Sequence, residues 1–296
     1  MRVGVVLGAG GPLGWAYHLG VLDGIRTAIG REPANADRIV ATSAGAPIAA
    51  GLLGGASIEE ILEVVVTPPG DHDRRIMEEA RAGVLRSPLR ALRPMASNLI
   101  PRIGQVGPAT AAVGLLPAGI FPTLPLRRLV ARPFNEWPSS LWVPSVRIDD
   151  GQLVVFGRDI TDVAVADAVE ATSAVPGVFR PKLIDGARYV DGAVASSTHA
   201  DTLVAEDLDV VLISSPMTRP GRGPIRARAR RQLDAEVAAL RANGTRTIVL
   251  SPNEEVLVAA EGFPRQRPEA GAEILAAAQE QTVAAFAEVR NRRRAA

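Results

Sequence analysis

The sequence predicts an α/β protein: a mostly parallel central sheet flanked by helices. Three observations carry this. Continuous apolar runs at Val3–Leu7, 39–41 and 210–213 have the composition of strands buried on both faces. Between them lie segments with apolar residues at helical spacing, such as Trp15, Leu19, Leu22, Ile25 and Ile29. Strand-like and helix-like segments then alternate through much of the chain, which places helices on the faces of a parallel sheet. The 296 residues, 47% of them hydrophobic, suffice for a sizeable core, and they are read as a single domain, 1–296.

Composition narrows the function classes. There is no cysteine, which rules out disulfides and thiolate metal sites and fits a reducing compartment, so a cytoplasmic protein is expected. The net charge of +1 supplies no global field for nucleic acid, and the basic stretches have no interleaved aromatics. The N-terminal apolar run is too soon interrupted by glycine to be a signal-peptide core. No run reaches the roughly 18 apolar residues of a membrane span. No cluster has metal-ligand spacing, and no cofactor is expected.

Taken in order, Val3–Leu7 feeds Gly8-Ala9-Gly10-Gly11-Pro12-Leu13-Gly14, then a helix that stops at Gly30. This glycine loop has two readings. Gly8 and Gly10 match the start of a dinucleotide fingerprint, but the third glycine comes one place late and the next strand ends in Thr42-Ser43, not in an acid. Alternatively, the N–H groups of Gly10 and Gly11 form an oxyanion hole, where glycine lets a substrate approach the backbone. Residues 39–41 end the second strand, and Thr42-Ser43-Ala44-Gly45-Ala46 leads into an apolar helix. A serine among small neighbours at a strand-to-helix turn fits a nucleophile elbow, with Ala41 in the usual glycine place. It also fits a plain serine N-cap. Two adjacent parallel strands would bring loop and serine to one sheet edge.

Ser57-Ile58-Glu59-Glu60 is a capping box opening a helix to about residue 66. Residues 74–85 are expected to be helical. Residues 70–126 are assigned as a lid or cap insertion, the alternative being an excursion without a role, and 127–134 as a short helix. Residues 141–148 and 152–156 read as a hairpin around Asp149-Asp150-Gly151. Thr161 or Asp162 is expected to cap a helix running to Thr172. Asp185-Gly186 reads as a turn, Tyr189-Val190 as a short strand, and Asp191-Gly192 as either a turn or a carboxylate delivered to a site. A strand near 209–214, a basic helix over 226–243, a strand near 245–251 and a closing helix over 270–290 complete the chain.

Three segments in this order resemble the patatin-like phospholipase family: the glycine loop with the following Ala16-Tyr17-His18-Leu19-Gly20, Thr42-Ser43-Ala44-Gly45-Ala46, and 171–193 with Ser173-Ala174-Val175-Pro176-Gly177 and Asp191-Gly192-Ala193. The resemblance implies a three-layer sandwich and a serine hydrolase acting on lipid acyl esters through an acyl-serine. Ser43 would be the nucleophile, Asp191 the general base of a Ser–Asp dyad, and Gly10 and Gly11 the oxyanion donors. Lipid or acyl ester is the implied partner. Ala9 stands where the family usually has a third glycine. Leu13 replaces a basic residue, which bears on phosphate-headgroup recognition. A non-catalytic lipid or acyl-chain binder, or a nucleotide-binding α/β protein, are the competing readings.

Of the 3 histidines, His18 is expected to be packed, His199 is near enough to Asp191 in sequence to reach the site, and His72 falls in the unassigned region. Arg219, Arg222, Arg226, Arg228, Arg230 and Arg231 read as a solvated helix face or as a peripheral membrane contact.

Overall fold

The computed structural model describes residues 1–67, 70–86, 93–123, 127, 130, 134–221, 223–263, 267 and 269–295. Along the chain run β1 (Val3–Leu7), α1 (Gly11–Ile29), β2 (Arg38–Ala41), α2 (Gly45–Leu53), α3 (Ile58–Val66), α4 (Asp71–Arg86), α5 (Ile103–Val106) and α6 (Pro108–Gly114). Then come β3 (Leu141–Arg147), β4 (Gln152–Phe156), α7 (Val165–Thr172), β5 (Lys182–Ile184), β6 (Ala187–Asp191), β7 (Val210–Ser214), α8 (Pro224–Ala242), β8 (Arg246–Leu250), α9 (Glu254–Ala259) and α10 (Ala270–Ala295).

The sheet order is β5-β6-β3-β2-β1-β7-β8, with β4 paired to β3. Strands β3, β2, β1, β7 and β8 are parallel. Beyond β3 the pairing turns antiparallel. Strand alternation decides which helix layer each side chain meets. Val5, Leu7, Ile39, Ala41 and Leu212 face one way, into a core shared with α1, α2, α3 and α10. Val6, Val40, Val211 and Ile213 face the other way, onto Leu233, Val237 and Leu240 of α8. The sheet is therefore buried on both sides, as the unbroken apolar runs require.

Helices α1 and α10 pack without room for side chains at two positions. A Cβ at Gly20 would stand 2.2 Å from the Leu275 carbonyl oxygen, and one at Gly24 would stand 2.5 Å from Thr282 Cβ. Asp23 accepts a hydrogen bond from Gln279 beside this notch.

The capping box is present in both directions: Glu60 N–H donates to Ser57 Oγ, and Ser57 N–H donates to Glu60 Oε2. Gly30 ends α1 in the left-handed conformation. The Asp149–Gly151 turn joins β3 to β4, with Gly151 at φ +75°.

Some expectations are corrected. Helix α7 begins at Val165, not after Thr161 or Asp162, and its N-cap Ala164 has an extended backbone. Ile160 bridges back to Phe156, and Val163 packs on the core, which holds this segment out of the helix. Strand β5 is an element the sequence does not announce; its hairpin to β6 turns at Asp185-Gly186, both at positive φ. Helix α9 is likewise additional, with Asn253 capping it by accepting from Val256 N–H. Helix α10 continues through the charged tail to Ala295.

The lid assignment over 70–126 falls partly outside the described residues, as does most of the short helix expected at 127–134. Where described, Met95, Ala96 and Leu99 pack with Val146, Ile148, Val190 and Val194 on β3 and around the end of β6. Among the described residues no helix is long and apolar enough to cross a membrane.

Candidate active site

Ser43 sits between the end of β2 and the start of α2 at φ +51°. A non-glycine residue in this region is strained, and the strain persists only where the surroundings hold it. Four contacts do so. Thr42 N–H donates to the Leu7 carbonyl at 2.9 Å, tying the turn to β1. Ser43 N–H donates to Thr172 Oγ1 at 3.1 Å, whose hydroxyl donates to the Pro144 carbonyl at 2.5 Å. Ser173 Oγ donates to the Ser43 carbonyl at 3.4 Å. Gly45 N–H closes the turn onto the Thr42 carbonyl at 2.9 Å. A Cβ at Gly45 would lie 2.1 Å from the Leu7 carbonyl oxygen, so nothing larger fits. The methyl of Ala41, by contrast, is accommodated in the core.

Asp191 ends β6 and meets Ser43 from 148 residues away. Ser43 Oγ donates to Asp191 Oδ2 at 2.7 Å. Asp191 Oδ1 accepts from Ala193 N–H at 2.8 Å, and Asp191 N–H donates to the Ala174 carbonyl at 3.0 Å. Both residues are buried. Burial raises the Asp191 pKa from 3.8 to about 6, against the lowering effect of the Ala193 and Ser43 hydrogen bonds. The loop 173–174 thus touches both partners, which gives a physical role to the Ser173-Ala174 part of the sequence match.

The glycine loop lies alongside. A Cβ at Gly14 would be 3.1 Å from Ala44 Cβ, so the start of α1 abuts the serine turn. Ala9 N–H donates to the Ser197 carbonyl and Gly8 N–H to the Ser214 carbonyl. Among the described residues the N–H groups of Gly10, Gly11 and Ala44 have no protein acceptor. They stand at the N-terminal ends of α1 and α2, where the helix dipoles favour negative charge.

The histidines are placed elsewhere. His18 is fully buried, with Nε2 2.7 Å from the Gly8 carbonyl and Nδ1 2.8 Å from Ser214 Oγ. Burial lowers its pKa to about 4, so Nε2–H donates to Gly8 and neutral Nδ1 accepts from Ser214. It braces the glycine loop. His199 bonds through Nε2 to the Gly192 carbonyl at 3.0 Å, and no hydrogen bond links it to Ser43 or to the Asp191 side chain. His72 lies in α4.

The arginine stretch is not simply a solvated face. Arg228 donates to the Val194 and Ala195 carbonyls, Arg230 to those of Arg219 and Gly221, and Arg226 to that of Pro220. Arg222 lies outside the described residues. Sequence reading also missed Thr172 and Ser173 as supports of Ser43, and the buried Glu170, which pairs with Lys182 at 2.8 Å and Arg127 at 3.0 Å and accepts from Thr123 Oγ1. Glu170 has no local signal, whereas Thr172 and Ser173 lie within the matched segment 171–193, where the sequence assigns them no role. Among the described residues no group of carboxylates and histidines could hold a metal ion.

A strained serine lifted from the end of a parallel strand and hydrogen-bonded to a carboxylate is the geometry of a nucleophile elbow on an α/β sheet. The chain belongs to the patatin-like phospholipase family, whose model matches residues 5–204. It is a lipid ester hydrolase by that membership. Among solved structures it is similar to VipD from Legionella pneumophila, at 14% identity and TM-score 0.45, over 97% of this chain and 67% of that one. It is also similar to the type III effector protein ExoU, at 15% identity and TM-score 0.42, covering 97% of this chain and 53% of ExoU.

Proposed function

We propose that the protein cleaves lipid acyl esters in two steps through an acyl-serine, using Ser43, Asp191 and the amides of Gly10 and Gly11. The observation that carries this is the 2.7 Å hydrogen bond from Ser43 Oγ to a carboxylate whose pKa burial has raised to about 6. A carboxylate at its ordinary value is a poor base for a hydroxyl, and desolvation brings it toward the working range. In the first step the Ser43 proton passes to Asp191 Oδ2 as Oγ attacks the ester carbonyl. The oxyanion is held by the Gly10 and Gly11 N–H groups. The leaving alcohol takes the proton from Asp191. Water, deprotonated by the same carboxylate, then attacks the acyl-serine and restores Ser43.

Exposed apolar side chains support the lipid character of the substrate. Val175 and Val178, in the loop that continues from Ser173 and Ala174, are 40% and 43% exposed. Leu115 and Leu116 of the proposed lid are exposed as well. Leu13, where a base would favour phosphate, directs the reading toward esters without a headgroup requirement.

A fluorophosphonate probe and a panel of acyl esters, of increasing chain length and with or without a phosphate headgroup, test this. Wild type is expected to label and to hydrolyse, while folded Ser43→Ala and Asp191→Asn lose hydrolysis. Full activity in Asp191→Asn rejects the dyad. A folded wild type that neither labels nor hydrolyses supports the acyl-chain binder instead.

A further inference from the structure

The arginine-rich helix α8 is tied to the site by a stripe of three residues. Arg228, Gln232 and Glu236 recur at four-residue steps and so share one face. All three grip the buried loop that follows Asp191. Arg228 Nη2 donates to the carbonyls of Val194 at 3.0 Å and Ala195 at 2.8 Å, and Gln232 Nε2 donates to that of Ala195. Glu236 Oε1 accepts from Ser196 Oγ at 2.5 Å, and Oε2 accepts from Thr198 Oγ1 at 2.5 Å and Ala200 N–H at 2.9 Å. Glu236 is 6% exposed, and Ser196, Thr198 and Ala200 of this one loop all donate to it.

The gripped loop reaches both halves of the site. His199, at φ +55°, donates from Nε2 to the carbonyl of Gly192, next to Asp191. The Ser197 carbonyl accepts the Ala9 N–H at 2.8 Å, one residue before Gly10. The chemistry described above uses neither Glu236 nor His199. We propose that Arg228, Gln232 and Glu236 form a clasp that fixes the general base against the oxyanion loop, with Glu236 as its central positioning residue. The catalytic part of this inference rests on the Ser43–Asp191 reading.

The test compares Glu236→Ala and Glu236→Gln with wild type, by kinetics on p-nitrophenyl butyrate and by amide hydrogen exchange. Glu236→Ala leaves three donors unpaired and lets the loop shift. Its kcat should fall about tenfold or more, with KM within about twofold, because the reacting groups lose alignment. In Glu236→Gln the amide oxygen still accepts from Thr198 and Ala200, so only the Ser196 hydroxyl, whose oxygen accepts from the Thr198 and His199 N–H groups, loses its acceptor. Its kcat should return to within about threefold of wild type. Exchange at Ala9, whose N–H is bonded to the Ser197 carbonyl, and at Ala193, bonded to Asp191, should quicken in Glu236→Ala and stay at the wild-type rate in Glu236→Gln. If Glu236→Ala does not fold, Thr198→Val, which removes a single donor, should shift kcat and both exchange regions in the same direction. Unchanged kcat in a folded Glu236→Ala protein, equal losses in the two Glu236 variants, or faster exchange confined to 196–200 would each overturn the clasp. A wild type without ester hydrolysis would reject the enzymatic reading, and the exchange experiment would still decide the clasp.

Discussion

Replacing Asp191 by asparagine should remove catalysis and stabilise the fold at neutral pH. The asparagine side chain can keep both hydrogen bonds of the native residue: its carbonyl accepts from Ala193 N–H, and its NH₂ donates to Ser43 Oγ. What the variant loses is the buried charge. The folded pKa of Asp191 is about 6 against an ordinary 3.8. A pKa raised on folding means the native state keeps a proton that the unfolded chain releases between those two values. Its contribution to stability therefore falls as pH rises from about 3.8 to about 6 and is constant beyond. At about 1.4 kcal/mol per pH unit, the ionised carboxylate costs the fold about 3 kcal/mol above pH 6.

Urea unfolding of both proteins from pH 4 to 8 measures this. The stability difference, variant minus wild type, should grow by about 2.5 kcal/mol across that range and level off above pH 6. Taking the difference matters because His18, held at about 4 by burial, contributes the opposite slope: the unfolded chain binds its proton as pH falls from 6.5. That term is common to both proteins and cancels. In wild type, kcat/KM should rise about tenfold per pH unit below pH 6 and plateau above, as a carboxylate base requires. A difference curve flat from pH 4 to 8 would refute the buried, proton-seeking carboxylate and the base role with it.

The two oxyanion glycines should respond unequally to alanine. A Cβ at Gly10 would meet Gly14 Cα at 2.6 Å and Pro216 Cβ at 2.8 Å, so Gly10→Ala displaces the loop and should cost about 3 kcal/mol of barrier in ester hydrolysis. At Gly11, φ is +59° but no atom lies within 4 Å of the added methyl, so Gly11→Ala should lose only about 1–2 kcal/mol of stability and keep most of its kcat. Lys182→Met strips a 2.8 Å partner from the buried Glu170, leaving Arg127 and Thr123; chemical denaturation should show a loss of about 3 kcal/mol with little change in KM.

What the sequence made legible was what it encodes locally. Ser43, the glycine loop and Asp191 each stand at a strand end, and the residues that allow the tight turns are their immediate neighbours. The pairing of β1 with β2 follows from two adjacent apolar runs joined by one helix. The supports were hidden because they act across the fold. Thr172 holds Ser43 from 129 residues away, and Glu236 reaches Ser196 from 40. The arginines of α8 illustrate the difficulty. Their charge suggested a surface, whereas Arg228 spends its donors on two carbonyls that nothing in its own helix announces. The late start of α7 has the same origin, since core packing of Val163 and the Ile160 bridge override a local cap signal.

The notch at Gly20 and Gly24 has a temporal side. Helix α1 carries the glycine loop at its head, yet its close-fitting partner α10 follows only after all eight strands have been made. On a ribosome, where folding proceeds from the N-terminus, α1 must keep a bare face until α10 emerges. The nascent chain would hold its serine long before it could use it.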